Sequence, residues 1–271
     1  MSRIGLLAGK GRLPFIWAKA AQQNGHEVYI YRLIKEEKRE LEGIADQVRD
    51  INVAALDELI NTIKADGIKE LVMIGKVEKT LLFQGVQLDQ RMERLLAGLD
   101  VLQDDNIMLA FVAELASEGI KVIDQATYIR ELFPEAGLLT SGKPDEQLLS
   151  DMKYGFQIAR EIGRLDIGQT VVVKNKAVLA VEAIEGTDLA IKRAGQLGGP
   201  GAVVAKVSKP QQDWRFDIPT IGETTIRNLI EINARGLVIE AGKTFIIEQE
   251  SLIKEAERHG IIIMAMETAS G

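Results

Sequence analysis

Acidic and basic side chains alternate with apolar ones in the segment QQDWRFDIPTIG, residues 211–222. Successive side chains of an extended chain point to opposite faces, so Asp213, Arg215 and Asp217 are predicted to share one face of an edge strand. A carboxylate there could bind a hard metal ion, and a guanidinium could contact phosphate oxygens bidentately. An exposed row of ion pairs would produce the same pattern.

The end of this segment predicts a fixed position for the second carboxylate. Pro219 cannot donate to a strand ladder and should end the strand. Thr220 and Glu223 have the spacing of a capping box, so a helix is predicted to begin at once. Asp217 would then lie between a strand end and a helix start, which suits a metal ligand.

Two further candidates follow predicted strands in the N-terminal half. LAGKGRLP places Gly11 where the first strand turns into the first helix, although Pro14 stands where a dinucleotide motif has its third glycine. Glycines at such a turn let backbone amides approach a phosphate. IGKV places Lys76 at the carboxyl end of a buried strand, where open α/β sheets bind ligands. A simple tight turn and a solvated lysine fit the two patterns equally well.

Predicted helix starts provide the remaining candidates. Asp104 and Asp105 begin a helix, so one is expected to cap it while the other is available to a ligand or metal. In the EGTD stretch, Thr187 or Asp188 could cap a short helix whose exposed amides would bind an anion. Lys206 adds positive charge upstream of the DWRFD residues.

The composition narrows the chemistry. The chain has no cysteine and two histidines, which excludes thiolate nucleophiles, disulfides, zinc ribbons and Fe–S clusters. His26 and His259 are predicted as turn or helix-end residues where a helix precedes a strand. Catalysis is therefore expected to rest on carboxylates, lysine, arginine, hydroxyls and a hard cation bound by oxygen.

The bulk properties indicate the cellular setting. The 271 residues carry a net charge of −7, which argues against non-specific nucleic-acid binding by the whole surface. No apolar run approaches the about 20 residues that a membrane span needs, and the N-terminus lacks the pattern of a signal peptide. A cytoplasmic location is expected.

Strand and helix patterns alternate through the first half of the chain, which predicts a parallel sheet with helices on both faces. The expected class is α/β, with a Rossmann-like N-terminal domain at residues 1–135. Pro, Gly and Ser concentrate in a linker predicted at 136–146. Hairpins and mixed element order predict a C-terminal α+β catalytic domain at 147–271.

Taken together, these motifs resemble one known family. The run EAIEGTD…RAG…VAKVSKPQQDWRFDIPTIGETTI resembles the signature of the LpxI-type UDP-2,3-diacylglucosamine pyrophosphatases. The glycine-rich N-terminal turn, IGKV and the helix that begins at Asp104 resemble the same family. The resemblance spans nearly the whole chain in the same domain order.

The resemblance implies Mg²⁺-dependent hydrolysis of UDP-2,3-diacylglucosamine to UMP and 2,3-diacylglucosamine 1-phosphate (lipid X) in lipid A synthesis, with the lipid held between two domains. Asp217 would be the catalytic or metal-binding aspartate, with Arg215 and Asp213 beside it. The implied substrate-binding positions are Gly11, Lys76, Asp105, Thr187 and Lys206. A homodimer in peripheral contact with the inner membrane, without a nucleic-acid partner, is also implied.

Two other functions are compatible with the sequence. The Rossmann-like half would suit a nucleotide-sugar or dinucleotide-binding protein that does not hydrolyse its ligand. A structural lipid carrier would show no dependence on a metal. Release of UMP separates the hydrolase from both.

Overall fold

The computed structural model describes residues 2–33, 41–52, 54–77, 88–99 and 104–268. The chain divides into two compact units. The N-terminal unit comprises Met1–Arg130 and Trp214–Asp217, and the C-terminal unit comprises Glu131–Asp213 and Ile218–Gly271. The short segment that carries Arg215 and Asp217 therefore belongs with the N-terminal unit, more than eighty residues after that unit's main stretch ends.

Strands and helices alternate in the N-terminal unit. Its elements are β1 (Ser2–Ala8), α1 (Leu13–Gln23), β2 (His26–Arg32), β3 (Gln47–Asp50), α2 (Leu56–Ala65), β4 (Glu70–Ile74), α3 (Gln90–Ala97), α4 (Asp104–Ser117) and β5 (Lys121–Val122). The strands are parallel to their neighbours in the order β3-β2-β1-β4-β5. The Rossmann-like parallel sheet expected from the sequence is confirmed.

Apolar patterning explains why these elements form a layered unit. The stretch 4–8 of β1 is completely buried, as a central parallel strand covered on both faces requires. Helix α2 buries Leu56, Leu59, Ile60 and Ile63, which recur at the spacing of one helix face. This apolar face packs the helix against the sheet.

The strand order reverses between β1 and β4. The chain moves outward from β1 to β2 and β3, then returns to the other side of β1. Loops that leave the carboxyl ends of two such strands diverge, and doubly wound folds bind ligands in the resulting crevice. In this chain those two loops contain Gly11 and Lys76.

The C-terminal unit is built around a larger, mixed sheet. Its elements are β6 (Gly137–Leu138), α5 (Glu146–Arg164), β7 (Thr170–Lys174), β8 (Ala177–Val181), α6 (Thr187–Gly198), β9 (Val203–Lys206), β10 (Thr220–Ile221), α7 (Glu223–Glu231), β11 (Gly236–Glu240), β12 (Phe245–Ile246), α8 (Gln249–Arg258) and β13 (Ile262–Met266). The large sheet has the order β6-β13-β11-β9-β7-β8, and β10 pairs with β12. Strands β9, β11 and β13 run parallel, whereas β6, β7 and β8 are antiparallel to their neighbours. The predicted α/β class of the chain is confirmed.

Strands β7 and β8 form one of the hairpins that the sequence predicts in the C-terminal half. Asn175 and Lys176 have φ values of 51° and 57°, the left-handed conformations of a type I′ turn. The carboxylate of Asp151 accepts hydrogen bonds from both backbone amides, each at 2.8 Å. The turn is thus fixed by a side chain of α5.

Residues 136–146, predicted as a linker, take part in the C-terminal unit. Gly137–Leu138 pairs with β13. Asp145 accepts a hydrogen bond from the amide of Leu148 at 2.8 Å and caps α5. The domain boundaries predicted from the sequence, with the linker at 136–146, remain predictions.

Helices cover both faces of the large sheet. On one face Met152 and Phe156 of α5 pack against Val173. On the other face Ile191 of α6 and Leu229 of α7 contribute to the core. Within the described ranges, none of the helices combines the length and the apolar character needed to cross a membrane.

Candidate active site

The loops after β1 and β4 are joined by backbone hydrogen bonds. The amide of Lys10 donates to the carbonyl oxygen of Lys76 at 2.8 Å, and the amide of Lys76 donates to that of Lys10 at 3.0 Å. The amide of Gly9 donates to the carbonyl oxygen of Ile74 at 2.9 Å. Two lysines from distant parts of the sequence are thereby held side by side at the carboxyl edge of the sheet.

Glycine is required where these loops meet. A Cβ atom on Gly9 would lie 2.7 Å from the backbone carbon of Gly75, and one on Gly75 would lie 2.8 Å from that of Gly9. Gly11 is different, because its φ of 102° demands glycine while the space around it is open. The structure shows a tight turn here with Gly11 at the surface, and the phosphate contact predicted for Gly11 remains a prediction.

Positive charge concentrates at this edge of the N-terminal unit. Lys76 and Arg12 are exposed and Lys10 is half-buried. Arg12 immediately precedes α1, whose N-terminus adds the partial positive charge of the helix dipole. Lys10 was not among the predicted site residues, although its position between two glycines at a strand end could have indicated it.

The segment Trp214–Asp217 is attached to the same unit through Gln125, which follows β5. The backbone amide of Gln125 donates to the carbonyl oxygen of Trp214 at 2.8 Å. The side-chain amide of Gln125 donates to the carbonyl oxygen of Met73 in β4 at 2.5 Å. Phe216 is only 4% exposed and belongs to the core that contains Met73. These contacts place the segment near the carboxyl ends of β4 and β5.

Asp217 has an unusual backbone conformation. Its φ is 56°, in the left-handed region that few residues other than glycine, asparagine and aspartate adopt. Its side chain is exposed, between the buried Phe216 and Ile218. A residue in this conformation persists only where the surrounding structure enforces it, and burial of the adjacent Phe216 in the N-terminal core contributes that constraint.

The edge strand predicted for the residues that precede Pro219 is wrong. Within the described ranges no strand pairs with residues 211–219, and Trp214 and Arg215 form a turn that a bend at Phe216 follows. An extended strand cannot pass through the left-handed backbone of Asp217. The physical reason is that burial of Phe216 and the bond from Gln125 replace a strand ladder as the anchors of this segment.

The other predicted residues of this group occupy separate positions. Arg215 and Asp213 are half-buried, and Asp213 belongs to the C-terminal unit. Asp105 is half-buried in the first turn of α4. Their proposed catalytic or binding roles remain predictions.

The acidic side chains near the candidate site determine how a metal ion could be bound. In the described ranges, no three Asp, Glu, His or Cys side chains converge where they could hold an ion between them. Mg²⁺ commonly binds through one or two carboxylates, retained waters and substrate phosphates rather than in a closed protein cage. The exposed carboxylate of Asp217 fits that open arrangement.

A second polar cluster lies at the carboxyl end of β9 in the C-terminal unit. The ammonium group of Lys206 donates to the Thr187 hydroxyl and to the carbonyl oxygen of Thr220, each at 3.2 Å. The Thr187 hydroxyl donates to Glu182 at 2.8 Å. The hydroxyl of Thr170 lies 3.3 Å from that of Thr187. The structure thus brings the predicted residues Thr187 and Lys206 together.

Two predicted helix caps are wrong. Helix α6 begins after Gly186 and α7 begins after Gly222, neither with a side-chain capping bond. Thr187 is engaged by Glu182 instead of capping α6. Thr220 lies in β10, where its hydroxyl donates to the carbonyl oxygen of Ile218 at 3.1 Å. Each hydroxyl instead donates to an acceptor a few residues before it in the chain, and a glycine occupies the cap position of each helix.

Ion-pair networks elsewhere in the N-terminal unit account for displaced pKa values. Hydrogen bonds from Arg49 lower the pKa of Asp66, and burial raises the pKa of Tyr31, whose hydroxyl donates to Asp66. Lys64 and Arg91 lower the pKa of Glu118 to about 2. These groups join strands and helices, so the displaced pKa values reflect structure rather than chemistry at the candidate site.

The two histidines occupy structural positions. His26, at the start of β2, contacts the Ser2 hydroxyl at 2.9 Å and the Tyr128 hydroxyl at 2.6 Å through its two ring nitrogens. His259 follows α8 and contacts Glu255 at 3.2 Å. Their predicted placement at element ends is confirmed.

Comparison with known proteins identifies the same family twice. The LpxI N-terminal domain matches residues 3–132, and the LpxI C-terminal domain matches residues 135–264. The UDP-2,3-diacylglucosamine pyrophosphatase LpxI of Caulobacter vibrioides is 30% identical over 280 aligned positions, which cover 98% of each chain.

Solved structures offer only distant likenesses. Glycinamide-RNase-transformylase T from Mycobacterium tuberculosis is 16% identical with a TM-score of 0.26, over 67% of this chain and 44% of that one. The biotin carboxylase subunit of pyruvate carboxylase is 12% identical with a TM-score of 0.28, over 73% of this chain and 43% of that one. Likenesses this weak support no conclusion about function.

Proposed function

The chain belongs to the LpxI family, and from that premise we propose that it hydrolyses UDP-2,3-diacylglucosamine to UMP and 2,3-diacylglucosamine 1-phosphate (lipid X) in lipid A biosynthesis. The proposal rests mainly on sequence identity to a characterised type of enzyme. The UDP-2,3-diacylglucosamine pyrophosphatase LpxI of Caulobacter vibrioides is 30% identical over 98% of this chain. The matches of both LpxI domains, in order along the chain, support it.

The N-terminal loop pair suits a diphosphate substrate. Hydrolysis forms a bond from water oxygen to one phosphorus and breaks the bond from that phosphorus to the bridging oxygen, on which negative charge develops. Fixed cations and backbone amides stabilise such charge when they are positioned in advance. The backbones of Lys10 and Lys76 are fixed by their mutual hydrogen bonds, so both side chains leave the same edge of the sheet, with the exposed Gly11 next to Lys10.

Asp217 is the proposed catalytic and metal-binding carboxylate. Its enforced left-handed backbone and exposed side chain support this role. Mg²⁺, when bound, would polarise a phosphoryl group and acidify a coordinated water. Asp217 would hold the ion together with substrate phosphate oxygens, while Arg215 contacts phosphate bidentately and Asp213 adds a second carboxylate.

Lys206, Thr187 and Asp105 are further proposed substrate contacts. The support for Lys206 is its ammonium group, which two acceptors hold in place at a strand end. The support for Thr187 is its direct bond to that ammonium group. Asp105 is supported by its position in the first turn of α4.

Peripheral contact with the cytoplasmic surface of the inner membrane, and assembly as a homodimer, complete the proposal. A substrate with two acyl chains resides in a bilayer, which supports the proposed contact with the membrane. Apolar side chains beside Thr187 also support it, because Ile184 is 99% exposed and Leu189 is 58% exposed. Exposed apolar surface of this kind gains free energy when it leaves water.

Release of UMP from UDP-2,3-diacylglucosamine, measured with Mg²⁺ and with EDTA, tests the proposed function. Turnover with Mg²⁺ and its loss in EDTA are expected. Turnover that EDTA leaves unchanged would remove the metal from the proposal and retain the hydrolase. Saturable binding of the lipid nucleotide or of NAD(H) without UMP release would favour a non-hydrolytic binding protein.

A further inference from the structure

Glu182 is fixed by both its backbone and its carboxylate. It follows the edge strand β8, and its amide donates to the carbonyl oxygen of Thr170 at 2.8 Å. One carboxylate oxygen accepts from the Thr187 hydroxyl at 2.8 Å, and the other accepts from the amide of Gln169 at 3.3 Å. A Cβ on Gly168 would lie 2.2 Å from the Glu182 carbonyl oxygen, so the backbone is also closely packed.

The carboxylate sets the direction of the hydrogen bonds around Thr187. A threonine hydroxyl has one proton, and an ionised carboxylate can only accept. Because Thr187 gives its proton to Glu182, it must accept from Lys206 and from Thr170. The hydrogen bonds therefore run from Lys206 to Thr187 and from Thr187 to Glu182.

This direction determines how the ammonium group of Lys206 is held. An ammonium has three hydrogens, and two of them are directed to Thr187 and to the carbonyl oxygen of Thr220. The third is available to an anionic ligand. If the Thr187 hydroxyl were free to rotate, its proton could point at Lys206 and the ammonium would lose one of its two holding contacts.

We infer that Glu182 is a positioning residue for Lys206. Its carboxylate takes the Thr187 proton, so that Thr187 holds the Lys206 ammonium in place for an anionic group of the ligand. The inference rests on the proposed function for the identity of that group, a phosphate of the substrate. No step of bond making or breaking is assigned to Glu182 itself.

The ammonium signal of Lys206 provides a test that needs no activity. In protein labelled with ¹⁵N-lysine, an ammonium held by two acceptors exchanges its protons slowly enough to be observed, and Lys206→Met identifies the signal. The signal should weaken or disappear in Glu182→Ala and Thr187→Val, and persist in Thr187→Ser. A Lys206 signal that is unchanged in Glu182→Ala, or absent from the wild type, would overturn the inference.

A matched control is available in the turn that joins β8 to α6. Glu185 is an acid that pairs with Arg193 at 2.5 Å, outside the Lys206 cluster. Glu185→Ala should leave both the Lys206 signal and UMP release as in the wild type. Equal loss of the signal in Glu185→Ala and Glu182→Ala would mean that the turn, not the Glu182 carboxylate, holds Lys206.

A double-mutant cycle on UMP release then tests the functional consequence. Glu182→Ala should lower kcat/KM about tenfold, the size expected for one charge-assisted hydrogen bond. In a Lys206→Met background the same substitution should have little further effect. Equal losses in the two backgrounds would contradict positioning through Lys206. If the wild type releases no UMP, the proposed function fails, while the ammonium signal still decides the role of Glu182.

Discussion

The backbone amide of Gln125 donates a 2.8 Å hydrogen bond to the carbonyl oxygen of Trp214. The side chain of the same residue donates to Met73 in β4 at 2.5 Å. Gln125 is 6% exposed, so these bonds are shielded from water. One buried residue therefore connects the Asp217 segment to the sheet of the N-terminal unit.

Gln125→Ala should lower both stability and turnover. The substitution leaves the buried Met73 carbonyl without this donor, which costs about 1–3 kcal/mol of unfolding free energy. The backbone bond to Trp214 is retained, but the loop that supplies it loses its side-chain contact with β4, so the Asp217 segment should be less firmly held and kcat of UMP release should fall. Urea unfolding and steady-state kinetics measure the two effects. Gln22→Ala, on the exposed face of α1, is the control, and equal behaviour of the two variants would contradict this role for Gln125.

Gly9→Ala should destabilise the N-terminal unit. The added methyl would lie 2.7 Å from the backbone of Gly75, so the loop pair must separate, at a cost of about 1–3 kcal/mol. Gly98→Ala is a matched control, since its Cβ would have no neighbour closer than 3.5 Å. Thermal unfolding compares them. A Gly9→Ala protein as stable as Gly98→Ala would show that the close approach of the loops is not required.

Acid should weaken the N-terminal unit through Glu118. Its pKa is lowered to about 2 by Lys64 and Arg91 in the folded chain, whereas an unfolded glutamate titrates near about 4.3. The folded state binds fewer protons, so this contribution to stability is complete above the unfolded pKa and is lost as pH falls through the folded one. Asp66, whose pKa Arg49 lowers, acts in the same direction.

Urea unfolding between pH 6 and pH 2 measures this dependence. Glu118→Gln should reduce stability near neutral pH and lose less of it on acidification than the wild type. Glu58→Gln, at an exposed acid in α2, is the control and should follow the wild-type profile. A Glu118→Gln profile parallel to that of the wild type would refute the contribution of this ion-pair network.

Ile184→Ser should weaken binding to vesicles that contain anionic phospholipid. The wild-type side chain is 99% exposed, and transfer of its apolar surface out of water is favourable. Leu138→Ser is a suitable control, because Leu138 is 38% exposed on β6, at the opposite edge of the same sheet from β8. Sedimentation with vesicles compares the two. Equal binding by both variants would remove this surface from the membrane proposal.

Much of the scaffold could be predicted because its causes are local. Continuous apolar runs are sufficient to identify β1 and β4, and helical spacing of apolar residues identifies α2. The parallel order follows from the alternation of strands with helices. That order places Lys76 at the carboxyl edge of the sheet. The β7–β8 hairpin was likewise predictable, since two β-rich runs flank Asn175, a residue that tolerates left-handed backbone.

The Asp217 segment could not be predicted because its causes are distant in sequence. Burial of Phe216 in the N-terminal core and the bond from Gln125 override an alternating pattern that is typical of a strand. Glu182 was missed for a different reason: it lies only five residues before Thr187, but the expected role of Thr187 as a helix cap gave no indication of this bond. The residue types were sufficient to predict carboxylates and cations as candidate site residues. Which of these side chains lie close together depends on tertiary contacts.

Replacement of Asp217 by asparagine tests the central claim most directly. Asparagine has the same shape and also tolerates the left-handed backbone, so Asp217→Asn should unfold at the wild-type urea concentration. It removes only the charge that would hold Mg²⁺ and the phosphates. Mg²⁺-dependent release of UMP should fall on the order of 10²–10⁴-fold. A folded Asp217→Asn protein that releases UMP at the wild-type rate would contradict the account.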